Sequence, residues 1–431
     1  MSISTVMKSR RIFLAFTLGT GITLLCAFRA SAQALPGNLR WVSSWGTAQQ
    51  IPEQNNLLPA DDLRDATLRQ IVHLSLGGPE LCLHLSNAFG TSPLHLTSVH
   101  IANAVSASGA AIVAGTDHEV TFGGQPDVTI PAGAEYLSDP IELKAAPFSN
   151  LAISIHYDGA PAQQTGHPGS HATSYFEHGD EVAATHLPNA HMVEHWYQVS
   201  EVDVAANPAA SAIVAFGDSI TDGHGSTTNG NDRWPDLLAR RLSAEAATRN
   251  IGVVNAGIGG GRVLLDGLGP NALARFDRDV LARPGVQAVI LLEGVNDLGV
   301  LTRDSDKTAA QHQALVQQLI AAYEQMIVQA HMHAVRLFGA TITPYVGSGY
   351  YHPGPFSEED RQELNRWIRA TGHFDGVADF DKAILDPAHP DRILPALDSG
   401  DHLHPSPAGY RAMADSVSLK LVEPAANRAS L

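Results

Sequence analysis

Four short stretches of the chain carry residues whose types and spacing could do nucleophilic chemistry. In Phe216-Gly217-Asp218-Ser219-Ile220-Thr221-Asp222-Gly223 a serine stands three residues after the end of a short apolar run. A serine there can project from a tight turn, with Gly217 relieving steric conflict and the serine's own N–H free for a developing oxyanion. The stretch Asn255-Ala256-Gly257-Ile258-Gly259-Gly260-Gly261 offers glycine N–H groups with no side chains in the way, and it lacks the Lys-Ser/Thr of a phosphate loop. Glu293-Gly294-Val295-Asn296-Asp297 supplies the side-chain amide of Asn296, a donor for negative charge. Near the C-terminus, Asp401 and His404 stand three apart in Asp401-His402-Leu403-His404-Pro405. At that spacing the carboxylate can hold the imidazole tautomer and stabilise the imidazolium. His402 points elsewhere at that spacing, which leaves His404 as the candidate base. Any one of these stretches could equally be a turn, a cap or a satisfied polar core, but all four fall where strands are expected to end.

The elements that must position them change character midway. From about 36 to 206 the chain reads as short strands. Leu81, Leu83 and Leu85 alternate with polar neighbours, as do Leu94 and Leu96, and Val128 to Ile130 and Leu151 to Ile155 follow, with Gly and Pro turn signals between. This pattern predicts a β-sandwich or jelly-roll-like domain. After Asn207-Pro208 apolar runs of four to six residues alternate with amphipathic stretches. Strands are expected at 213–216, 253–255, 288–292, 335–342 and 377–379, and helices at 234–242, 309–329 and 358–370, the last helix opening at Ser406-Pro407. That is the pattern of parallel strands covered on both faces, hence a three-layer α/β/α domain over 211–425, whose ligands sit outside the carboxyl ends of the strands.

Residues 1–32 read as an export signal: Lys8, Arg10 and Arg11, an apolar run to Phe28, then Ala30-Ser31-Ala32, with cleavage before Gln33. The run is short for a membrane span, so no stable membrane anchor is expected, and bulky Leu25 before Cys26 argues against lipidation. Ser9 to Leu14 looks like a twin-arginine signal, with an ordinary secretory signal as the alternative. Loss of Lys8, Arg10, Arg11 and Arg29 takes the net charge from −17 to −21. So acidic a surface disfavours nucleic acid and anionic membranes. Of the 2 cysteines only Cys82 would remain, which excludes an intramolecular disulfide and a Cys-based zinc site. Among the 21 histidines, the pairs His331 with His333 and His191 with His195 lack a third ligand at metal spacing. The sequence carries no signal for an oligomeric state.

In this order the four motifs resemble the SGNH/GDSL hydrolase superfamily, over the whole C-terminal half. The front half, with Trp41 to Trp45 and Leu85 to Gly90, is similar to the leading part of an acylhydrolase branch associated with xylan-degrading gene sets. The resemblance implies a flavodoxin-like SGNH domain acting as a serine esterase without metal or cofactor. Ser219 would be the nucleophile, His404 the general base and Asp401 its orienter. Ser219, Gly260 and Asn296 would form the oxyanion hole, with Gly259 and Gly261 as the neighbouring alternatives to Gly260. Asp222, Arg233 and Asp297 are read as supporting or capping residues. The expected substrates are small or polysaccharide esters carrying short acyl groups. Acyl transfer to a sugar, a lipase or arylesterase, and a non-catalytic carbohydrate binder are the alternatives. Trp41, Trp45 and Trp196 are candidates for sugar stacking, with core packing the favoured role.

Overall fold

The computed structural model describes Leu35 and residues 38–423. The export signal and residues 424–425 of the expected α/β domain lie outside the described residues. The described residues form one compact unit. No helix among the described residues is long and apolar enough to cross a membrane.

The front half supplies strands β1 (Arg40–Gly46), β2 (Ala66–His73), β3 (Leu81–Ser86), β4 (Ser98–Asn103), β5 (Asn150–Tyr157), β6 (Ser174–His178) and β7 (Val199–Ala206). They build two antiparallel sheets. One runs β1-β7-β3 and ends on the short strand Glu135–Leu137. The other runs His191–Val193, β6, β2, β5, β4, His118–Glu119. Leu81, Leu83 and Leu85 of the first sheet share an apolar core with Leu68, Ile153 and Ile155 of the second, the sandwich arrangement expected from the alternation. The opposite face of β3 is buried as well. There His84 bonds Asp203 of β7 and Glu135, Cys82 lies 3.5 Å from the Ser138 carbonyl, and Ser86 accepts the Ala88 N–H.

The second half contains β8 (Ser211–Gly217), β9 (Ile251–Gly257), β10 (Val286–Leu292), β11 (Arg336–Ala340) and β12 (Gly376–Ala378), with helices α1 (Ser219–Asp222), α2 (Trp234–Ala244), α3 (Ala272–Phe276), α4 (Val295–Arg303), α5 (Ala309–Met332), α6 (Pro355–Arg369), α7 (Phe380–Ile384) and α8 (Pro407–Ser416). All five strands are parallel, in the order β9-β8-β10-β11-β12. This is the flavodoxin-like order 2-1-3-4-5, with its switch point beside β8. Every residue of β8 is buried, as a strand covered on both faces must be.

Capping chemistry sets several helix starts. Thr308 and Gln311 form a reciprocal box ahead of α5, and Ser406 accepts the Gly409 N–H ahead of α8. Asn296 and Asp297, expected in a loop, sit instead in the first turn of α4. Gly294 allows this by adopting φ 123°, a conformation a side chain would strain.

The two halves meet along the edge strand β9. The Val253 N–H donates to Ser75 Oγ at 3.0 Å, Ser75 N–H donates to the Ser44 carbonyl at 3.1 Å, and Ser43 N–H donates to the Pro284 carbonyl at 2.9 Å. An edge that would otherwise present unpaired backbone groups is thereby covered.

Leu319 on α5 is fully buried in the α/β core and belongs to none of the motif loops. Leu319→Ala is expected to cost about 2–5 kcal/mol. Urea denaturation should show the loss as a lowered midpoint, while the specific activity of the folded fraction stays unchanged.

Candidate active site

The loops after β8, β9 and β10 and the turn before α8 converge at the carboxyl ends of the parallel strands. Ser219 opens α1, where first-turn N–H groups have no acceptor within the helix. Asp218 caps this turn: its Oδ1 accepts the Ile220 N–H at 2.9 Å. Burial pushes the Asp218 carboxyl up to about 7.

Ser219 Oγ lies 2.8 Å from His404 Nε2, and His404 Nδ1 lies 2.6 Å from Asp401 Oδ2. Asp401 Oδ1 accepts the backbone N–H groups of Leu403 at 3.0 Å and His404 at 2.8 Å. Burial raises the Asp401 carboxyl, but the His404 ring and these N–H groups outweigh it and hold the group well below the usual carboxylate range. The carboxylate therefore fixes Nδ1 as a donor and leaves Nε2 free to accept from the serine. His402 does point elsewhere. Its backbone is left-handed (φ 61°) and its Nδ1 pairs with Asp398 Oδ2 at 2.6 Å.

The glycine loop shows which N–H can serve a ligand. Gly259 N–H donates to Asp222 Oδ2 at 3.1 Å and Gly261 N–H to the Ile258 carbonyl at 2.9 Å. Gly260, at φ 66°, lies between them and lines the same cleft as Ser219, Asn296 and His404. Asn296 Nδ2 donates to the Gly261 carbonyl at 2.7 Å, and its Oδ1 accepts from the Tyr351 hydroxyl at 2.5 Å. The carbonyl partner requires the NH₂ on that side, so the amide orientation is settled by both neighbours at once. Asp297 receives the N–H groups of Val263 at 2.8 Å and Leu264 at 3.1 Å; burial raises its carboxyl to about 6. Arg233 caps α2 and pairs with Asp236 at 2.8 Å.

Three contributors were not visible in the motifs. Tyr351 orients Asn296. His224 lays its ring 4.2 Å from that of His404, with Nε2 3.9 Å from Asp401 Oδ2. Arg275, fully buried, donates to the Gly217 carbonyl at 2.8 Å, the Ala256 carbonyl at 2.7 Å and Glu293 Oε1 at 3.0 Å. A buried arginine must find such acceptors, but a sequence does not say which. Trp45 and Trp196 are buried and meet edge to face at 5.0 Å, a packing role that removes both from sugar stacking.

Two groups among the described residues bring possible metal ligands within 4.8 Å: Cys82, His84 and Asp203, and His224, Asp401 and His404. In each, two of the three already bond one another, His84 Nε2 to Asp203 Oδ2 at 2.9 Å and His404 to Asp401 as above. Cys82 thus has metal-like company that its isolation in the sequence did not suggest.

The cleft at Ser219 has a volume of about 990 Å³ and is walled by His224, Arg262, Leu268, Arg303, Tyr350 and His402. Such an arrangement, a serine hydroxyl on an oriented imidazole beside convergent donors, can carry out acyl transfer.

Residues 215–412 match the GDSL-like Lipase/Acylhydrolase family. That match spans 198 of the chain's 431 residues. Similar solved structures include one described as a lipolytic protein of the G-D-S-L family from Desulfitobacterium hafniense DCB-2, at 24% identity over 48% of this chain and 97% of that one, with a TM-score of 0.35. The aryl esterase of M. smegmatis aligns at 16% identity over 49% and 99%, TM-score 0.36. An acetyl xylan esterase, AlAXEase, aligns at 20% identity over 48% and 96%, TM-score 0.35. No curated protein matches the chain.

Removing the Tyr351 hydroxyl leaves Asn296 Oδ1 without that donor and the amide free to turn. Tyr351→Phe is expected to lower kcat roughly tenfold, less than the hundredfold or more of losing a whole oxyanion donor in Asn296→Ala. Steady-state kinetics of the two variants side by side test this ranking.

Proposed function

We propose that the protein is an exported serine esterase that hydrolyses carboxylic esters through an acyl-enzyme on Ser219. The observation that carries this reading is the unbroken relay from Ser219 Oγ through His404 to Asp401, at 2.8 Å and 2.6 Å, at the floor of an open cleft. In the first step His404 Nε2 takes the Ser219 proton as Oγ attacks the ester carbonyl. The resulting oxyanion is held by the N–H groups of Ser219 and Gly260 and by the Asn296 amide. The C–O bond to the alcohol then breaks, and the departing alkoxide takes the proton from His404. Water attacks the acyl-enzyme with His404 again as base, releasing the acid and restoring Ser219. Asp401 stays ionised throughout and stabilises the imidazolium.

Short acyl groups on carbohydrate are the substrates we favour, because the cleft is wide and its walls carry polar and aromatic groups suited to a sugar. A second reading, a preference for longer acyl chains, has its own support. A groove of about 630 Å³ lined by Leu264, Leu265, Leu273, Leu301 and Leu315 adjoins the cleft and shares Arg262 and Val300 with it.

A series of p-nitrophenyl esters from acetate to palmitate, assayed with the wild type and with Ser219→Ala, tests both statements. The serine variant should lose activity by at least about 10⁴-fold. Fastest turnover on acetate supports the carbohydrate reading and fastest turnover on long chains the second one. Full activity in the variant would remove Ser219 from the mechanism.

A further inference from the structure

The β-rich half reaches the back of the nucleophile loop through one side chain. His167, in the short strand Gly166–His167, is 2% exposed. Its Nδ1 lies 2.8 Å from the Ala48 carbonyl oxygen and its Nε2 lies 2.9 Å from Asp222 Oδ1. A carbonyl can only accept, so Nδ1 carries a hydrogen, and a carboxylate asks the same of Nε2. The ring is then an imidazolium facing a carboxylate. Burial alone would push its pKa down, but the charge and hydrogen bond of Asp222 raise it on balance. The ring also stacks on Trp196 at 5.9 Å.

Asp222 ends α1, the turn that Ser219 begins, and its second oxygen holds the Gly259 N–H at 3.1 Å. It has little room to move. A Cβ at Gly169, from the β-rich half, would collide with its carboxylate, and one at Gly257 with its backbone. The glycine loop is therefore anchored on both sides of Gly260: Gly259 by Asp222, and Gly261 by the Ile258 carbonyl and the Asn296 amide. Of these anchors, only Asp222 is itself bonded by a side chain of the other half.

We propose that His167 is a positioning residue of the esterase site: as an imidazolium held between Ala48 and Asp222, it fixes the carboxylate that pins Gly259 and so aims the Gly260 N–H at the developing oxyanion. This inference rests on the esterase reading above. It makes the β-rich half a working part of the oxyanion hole, whether or not that half also touches substrate.

A purely structural role for the pair would loosen the seam between the halves without changing how the oxyanion is held. Glu201→Gln supplies that comparison, since Glu201 pairs with Arg283 across the same seam at 3.3 Å and bonds nothing in the glycine loop. The readouts are kcat and KM on p-nitrophenyl acetate, and the affinity of an alkyl trifluoromethyl ketone, which forms a tetrahedral oxyanion on an active serine. His167→Gln should lower kcat by about ten- to a hundredfold, with KM within about threefold of wild type and ketone affinity weakened in step with kcat. Glu201→Gln should leave kcat and ketone affinity within about twofold. Asp222→Ala should lose at least as much as His167→Gln, and the double variant no more than Asp222→Ala alone, because both act through one contact. If His167→Gln does not accumulate in folded form, Asp222→Ala is judged against Glu201→Gln by the same criteria. Unchanged kcat in His167→Gln, a rise confined to KM, or an equal loss in Glu201→Gln overturns the positioning role and leaves the esterase reading standing. A wild type that cleaves none of the esters overturns both.

Discussion

Arg275 is fully buried, and a guanidinium removed from water costs several kcal/mol unless its donors are met. The donors bonded here go to the ends of three neighbouring strands: the Gly217 carbonyl closing β8, the Ala256 carbonyl near the end of β9, and Glu293 directly after β10, with Asp279 at 3.2 Å as a fourth acceptor. Its Cζ lies over the Phe216 ring, 4.1 Å from the ring centroid. The loops that begin at these strand ends carry Ser219, Gly260 and Asn296. Their mutual placement is thus referred to one buried cation in the core together with the bonds between the loops themselves. Around it sit the buried carboxyls of Asp218, Glu293 and Asp297, all shifted upward chiefly by burial. The floor of the site is a packed polar network, costly to leave partly satisfied.

The parts legible in the sequence were those governed by local rules. The runs at 213–216, 253–255 and 288–292 located β8, β9 and β10 because a strand covered on both faces has to be continuously apolar. The long helix α5 extended three residues beyond its expected end at 329, and β11 proved shorter at both ends than the 335–342 expected, within the usual blurring of element ends. The meeting of Ser219, His404 and Asp401 could be expected because each belongs to a short motif with its own geometry. The glycine register could not, since Gly259, Gly260 and Gly261 are alike as letters; it took Asp222 and Ile258 to occupy the two outer N–H groups. Tyr351, Arg275 and His167 were invisible for the same reason. Each acts on a partner distant in the chain, and a lone Tyr, Arg or His carries no periodicity.

The seam between the halves differs from a linker between independent domains. Strand β7 leads into β8 through a single turn closed by the Ala210 N–H on the Asn207 carbonyl at 2.9 Å. Ser44 and Ser75 cover the edge of β9, and His84, Glu135, Glu201 and Asp203 form a polar cluster against Arg283. Burial and the neighbouring Asp203 carboxylate drive the Glu201 carboxyl up to about 7, against the pull of Arg283 and His84. Apolar cores are private to each half for the most part, whereas charged groups are shared across the boundary.

Strand β7 also pairs with β1 at the far end of the front half, Arg40 opposite Ala206 and Gly46 opposite Glu201. A ribosome releases β1 long before β7, so the first sheet stays open at its centre until nearly the whole front half has been made. Its closing strand then emerges only just ahead of β8 and Ser219. The nucleophile strand is in this way coupled to a long-range pairing, and every strand of the first sheet has left the ribosome by the time Ser219 does.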